Sequence, residues 1–194
     1  MTDRPILFSP PMIRALLGSR KTMTRRLAWR MPGKSGRLTK RNPAWPSGMW
    51  PSPWQKVKPA DRLWCREVWG ESVGRTLRYK NGVVLYRADH GYTVAGQEVD
   101  LMRWRSPIFM PRWASRLTLI VTAVKIGMLH KISIYDAQAE GIDVGPLSAS
   151  GCLNEFRALW ENLHGPESWD ANPEVVALTF TVHKANIDTM QEAA

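Results

Sequence analysis

Apolar positions along this chain recur at helical spacing in three short stretches and alternate at strand spacing in four others. Ser9 to Leu17 gathers Met12, Ile13, Leu16 and Leu17 into one stripe, which predicts a helix. Ser9 suits its N-cap, Pro10 and Pro11 its first turn, and Gly18 its stop. Ser133-Ile-Tyr-Asp136 reads as a capping box opening a second helix that Gly141 ends. Leu153 to Leu163 predicts a third, with Phe156, Leu159, Trp160 and Leu163 on one face. Arg62 to Val68 sets Leu63 and Cys65 against Arg62, Trp64 and Arg66, the period of a strand. Val83 to Arg87, Arg116 to Ile126 and Glu174 to His183 are further strands, rich in β-branched residues. Nothing repeats at a solenoid period. Strands outnumber helices in irregular order, which predicts a mixed, barrel-like α+β fold rather than a doubly wound sheet.

Between the first helix and the first predicted strand the pattern stops. Residues 29–60 hold Pro32, Pro43, Pro46, Pro51, Pro53 and Pro59 with Gly33, Gly36 and Gly48, a density that prevents regular elements. Trp29, Trp45, Trp50 and Trp54 run through the same segment, and such aromatic content argues against plain disorder. The expectation is an irregular basic insertion that folds over the body or onto a ligand. Residues 1–184 read as a single domain and 185–194 as a loose tail.

Charge changes this picture. The net charge is +10 over 194 residues. Between Arg4 and Ala60 there are thirteen Lys or Arg and no Asp or Glu, whereas Asp61 to the end carries fourteen basic and sixteen acidic residues. A one-sign field of this extent repels itself and is best accounted for by a polyanionic partner, RNA or single-stranded DNA. No apolar run approaches the roughly 20 residues of a membrane helix, and Met1 to Pro5 carries no signal core, so the expected location is cytoplasmic. Cys65 and Cys152 form no CxxC pair, and His90, His130, His164 and His183 are scattered, so neither a metal nor another cofactor is expected. Cys65, inside a strand pattern, reads as a small buried hydrophobe.

The densest chemistry lies in Gly18-Ser-Arg-Lys-Thr-Met-Thr-Arg-Arg26. Arg20, Arg25 and Arg26 can neutralise phosphates, and threonine hydroxyls add neutral donors. Arg112, Trp113 and Arg116 combine planar cations with an indole, a pairing suited to a base stacked beside phosphates. An apolar helix followed by Gly-x-Arg-Lys-Thr-x-Thr-x-Arg resembles the opening of ASCH domains, which have a PUA-like β-barrel with flanking helices. Pro59-Ala-Asp-Arg-Leu-Trp-Cys-Arg-Glu67 is similar to the family's second signature, with Ala60 where glycine is usual. Leu129 to Ile142, with Ile132-Ser133 and Ala139-Glu140-Gly141, resembles the helix after the family's long strand, and Val175 to Phe180 its closing strand. The order of motifs, with Met110 to Arg116 and Trp160 to Asn172, is most similar to phage- and prophage-encoded ASCH proteins.

The resemblance implies more. A bacterial branch of the group hydrolyses N4-acetylcytidine with a Lys, Thr and Glu set, which falls here on Lys21, Thr24 and Glu140. Thr24 would be the nucleophile and Lys21 its base, its charged form disfavoured by Arg20, Arg25 and Arg26. Glu140 would pass a proton to the leaving amine. Thr22 is the rival nucleophile. Lys21 and Thr24 are three residues apart, so a straight strand would send them to opposite faces and their meeting requires a turn or bulge. Three functions are thus open: amidohydrolysis of an N4-acylated cytidine, binding of RNA, DNA or a modified nucleoside without chemistry, and, last, ribonuclease action.

Overall fold

The computed structural model describes residues 1–31, 46, 48–71, 84–90, 104–142 and 149–190. Trp45 and most of the proline-rich stretch before it lie outside them. In chain order the elements are β1 (Asp3–Leu7), α1 (Pro10–Leu17), β2 (Met23–Leu27), β3 (Trp29–Arg30), β4 (Trp50–Pro51), β5 (Arg62–Arg66), β6 (Trp69–Glu71) and β7 (Val84–Tyr86), followed by α2 (Arg87–His90), β8 (Thr118–Met128), α3 (Ile134–Ala139), α4 (Ala149–His164) and β9 (Glu174–His183). The fold is mixed α+β, as the pattern predicts. Among the described residues no sheet closes into a barrel.

The chain divides into two compact units. The first comprises Met1–Ser19, Asp61–Ile120 and Thr181–Ala194; the second comprises Arg20–Ala60 and Val121–Phe180.

In the first unit β1 pairs in parallel with β5, from Asp3 opposite Arg62 to Leu7 opposite Arg66, and β5 pairs antiparallel with the start of β8. The pattern gives no sign of β1, because Pro5 interrupts it and only Ile6 is fully buried. Proline is tolerated there because β1 is an edge strand. The Arg62 guanidinium fastens the pair, donating to both Asp3 carboxylate oxygens at 2.8 and 2.9 Å. Ser9 stands at the N-cap of α1, but its side chain makes no capping bond. Gly18 keeps an ordinary φ of −84°, and Ser19, at +58°, takes the left-handed turn. Just after β9, Asn186 Nδ2 donates to the carbonyls of Arg112, Trp113 and Ser115, and Ile187 is buried; residues 191–194 lie outside the described residues.

In the second unit β2 pairs antiparallel with β9, from Met23 opposite Thr179 to Leu27 opposite Val175. Leu129, Ile132, Ala137, Cys152, Phe156, Trp160 and Val175 form its core, with Leu27 and Trp169 packed against them. Of the face predicted for α4, Phe156 and Trp160 enter this core, while Leu163 stays exposed. The capping box of α3 forms as read, with the Asp136 N–H donating to Ser133 Oγ and the Ser133 N–H to Asp136 Oδ2. Gly141, at φ +87°, supplies the left-handed residue just beyond the helix. Ala60 adopts φ +69°, a backbone conformation that glycine enters without strain.

Candidate functional site

The site begins with a strand that the sequence presents as a basic loop. The Phe180 N–H donates to the Thr22 carbonyl at 2.9 Å, which extends the β2–β9 register one residue upstream without an offset. The Thr22 N–H donates to the Ala139 carbonyl at 2.8 Å, and Lys21 and Glu140 form an isolated antiparallel bridge. The end of α3 is thereby laced to the start of β2.

Four ionisable side chains meet at this seam. Lys21 Nζ donates to the Glu140 carbonyl at 2.6 Å and to Glu140 Oε2 at 2.9 Å. Arg25 donates to Glu140 Oε1 at 3.2 Å and to Asp136 Oδ2 at 2.7 Å. Its guanidinium also lies over the Phe156 ring, 5.9 Å from the centroid. The Lys21, Arg25 and Glu140 side chains are only 2%, 6% and 5% exposed. Two cations against two carboxylates leave the cluster neutral, the condition under which ions tolerate burial. Burial lowers the proton affinity of Lys21, the nearby Glu140 carboxylate opposes that shift, and Arg26 and Arg25 add smaller downward contributions. The arginine effect expected from the sequence is present but secondary to desolvation.

The structure brings two of the three expected catalytic residues into contact, Lys21 and Glu140, which are separated by 119 positions. Thr24 is buried on β2 opposite Leu178. The register from Thr22 to Leu27 has no bulge, so side chains alternate, and Thr24 points away from the face that carries Arg25 to Glu140. Thr22, the rival nucleophile, is exposed. The Arg26 guanidinium lies over the Trp54 ring, 5.7 Å from its centroid, and Arg20 is exposed.

The remaining candidates belong to the first unit, and the two arginines among them are held by carboxylates. Arg112 donates to Asp3 Oδ2 at 2.6 Å and to Asp188 Oδ1 at 2.7 Å. Arg116 grips both oxygens of Glu67 and both of Asp89 and stacks on the Tyr86 ring at 3.9 Å. Burial pushes the Glu67 carboxyl up, and Arg116 pulls it back. Trp113 is 60% exposed and meets Trp69 edge-on, with centroids 6.2 Å apart. Of this trio, Trp113 presents the most open face.

Sequence reading missed Asp136 and Phe156 as members of the Lys21–Arg25 cluster. The capping box did place Asp136 at the first turn of α3, so a signal existed for its position but not for its partner. Among the described residues no group of three His, Cys, Asp or Glu side chains is arranged to hold a metal, and no helix is long and apolar enough to cross a membrane. Compared with protein-family models, with curated proteins and with solved structures, the chain finds no match in any of the three.

Proposed function

We propose that this is an ASCH protein directed at nucleic acid or a modified nucleoside, whose reaction is the deacylation of N4-acylated cytidine. The described sheet would then be part of a PUA-like barrel. The observation that carries the reading is the contact between Lys21 and Glu140, distant residues that the motif resemblance pairs and that meet at 2.9 Å. Burial disfavours the protonated form of Lys21, the direction that a lysine acting as proton acceptor requires. For this step Thr24 would have to turn from the far face of β2 toward Lys21, whose nitrogen would then accept the threonine hydroxyl proton as oxygen bonds to the acyl carbon. The carbon–nitrogen bond would then break, and the exocyclic amine would leave with a proton relayed through Glu140. Water would hydrolyse the acyl-threonine ester, giving cytidine and a carboxylic acid.

A second reading, binding without chemistry, draws on two specific observations. Lys21 already donates hydrogen bonds to two oxygens in a closed cluster, and the unbroken β2 register turns Thr24 to the other face. On this reading the cluster is a pin between β2 and α3, and the basic segment around it holds phosphates. Release of cytidine from N4-acetylcytidine separates the two, measured for wild type, Lys21→Ala, Thr24→Ala and Glu140→Ala, each checked for folding by circular dichroism. Hydrolysis by wild type that is lost in folded Lys21→Ala and Thr24→Ala supports the enzyme. A wild type inert on acylated nucleosides but bound to RNA or DNA supports the binding protein.

A further inference from the structure

The proline- and tryptophan-rich segment that the ASCH resemblance leaves unaccounted for builds one wall of a groove in the second unit. β3 and β4 pair antiparallel, and the Ser52 N–H donates to the carbonyl of Ala28, the residue after β2, at 2.8 Å. The Trp29 indole N–H donates to Glu174 Oε2 at 2.6 Å. The groove between these residues has a volume of about 960 Å³, at the upper end of small-ligand sites. Most of its lining is apolar, with Trp29 and Trp54 the largest faces, and two arginines, Arg26 and Arg30, stand on it. Arg26 lies over the Trp54 ring, which places a planar cation and an indole face at one point. Ser52 also lines the groove; it is 4% exposed, and its hydroxyl has no hydrogen-bond partner among the described residues. A buried hydroxyl without a partner carries a desolvation cost that a ligand's polar atom can relieve. Glu174 is the opposing charge, and the Trp29 indole already engages it.

We propose that this groove seats a base of single-stranded nucleic acid, stacked at the Trp54–Arg26 pair, hydrogen-bonded by Ser52, with the flanking phosphate on Arg30. The base supplies a π-face for the indole, the phosphate complements the arginines, and a polar base edge satisfies the serine. The inference rests on the nucleic-acid reading above but uses different residues from the Lys21–Glu140 cluster.

The test is fluorescence anisotropy of a labelled oligouridylate and the matching oligothymidylate, titrated with wild type, Trp54→Leu, Arg30→Glu and Ser52→Ala at several salt concentrations. Loss of one stacked base should weaken binding by about tenfold or more in Trp54→Leu. Arg30 is exposed, so its reversal leaves the fold intact; it should weaken binding and flatten the salt dependence by about one contact. Ser52→Ala should weaken binding several-fold while melting at or above the wild-type temperature, because it removes an unsatisfied group. Binding of either strand chemistry with this pattern supports the groove. Wild-type affinity in all three variants overturns the groove while leaving nucleic-acid binding standing. A wild type that binds neither strand at low salt overturns both. Equal weakening toward a poly-glutamate peptide makes the groove a general anion site and overturns the seated base.

Discussion

Glu140→Gln tests whether the buried cluster is held together by charge. The substitution keeps the shape of the side chain and removes one negative charge from a site where Lys21 is 2% exposed and Arg25 6% exposed. Arg25 retains Asp136, and Lys21 retains the Glu140 carbonyl, but the cluster then carries an excess positive charge away from water. Breaking one side of a buried pair costs about 3–5 kcal/mol. The surviving carbonyl and the new amide oxygen point to the lower end, about 3 kcal/mol. For a chain of this size that corresponds to a fall in Tm of roughly 6–12 °C. Removing both charges, as in Lys21→Met with Glu140→Leu, should cost less than the sum of the two single changes, because each single strands a buried charge and the double does not. The assay is urea or thermal unfolding of the two singles and the double, followed by circular dichroism. A Glu140→Gln protein within about 0.5 kcal/mol of wild type, or strictly additive singles, would refute the reasoning.

Other consequences are more local. Ala60→Gly should raise stability by up to about 1 kcal/mol, since relief of a left-handed alanine outweighs the entropy that glycine adds to the unfolded chain; a lower melting temperature would contradict the strain at φ +69°. Ser133→Ala should cost about 1 kcal/mol by removing the side-chain half of the α3 capping box, read by denaturant titration. Hydrogen bonds from Arg62 first, and also from Arg112, hold the Asp3 carboxyl below its ordinary 3.8, so its contribution is present above that pH and is lost as pH falls through the folded value. Asp3→Asn should therefore be less stable than wild type at neutral pH by about 1 kcal/mol, with the gap closing in acid. Neither Cys65 nor Cys152, each 1% exposed, should react with a thiol reagent until the protein is unfolded.

What the sequence made legible was local. The α3 capping box spans four residues, and β9 announces itself by its own run of Val, Leu, Thr and Phe. What it hid was decided by partners far along the chain. Met23–Leu27 looks like a charged loop until β9 covers it, and Arg25 is buried because Asp136, 111 residues away, meets it. Arg112 and Arg116 suit phosphates by composition, yet Asp3 lies 109 residues from the first and Glu67 lies 49 from the second. No spacing rule could announce those carboxylates. Gly18 shows the opposite error: the stop falls where expected, but Ser19 takes the left-handed angle. The Lys21–Glu140 contact was legible only through the order of motifs, since nothing in the local pattern of either residue points to the other.

The central claim is that this protein engages nucleic acid or a modified nucleoside, and the most direct measurement is the affinity of wild type for a short single-stranded RNA as salt is raised. Thirteen basic residues and no acidic one between Arg4 and Ala60 predict tight binding at low salt. The logarithm of affinity should then fall linearly with the logarithm of salt, by about 0.7 for each phosphate contacted. No binding at low salt, or an affinity that salt leaves unchanged, would contradict the account.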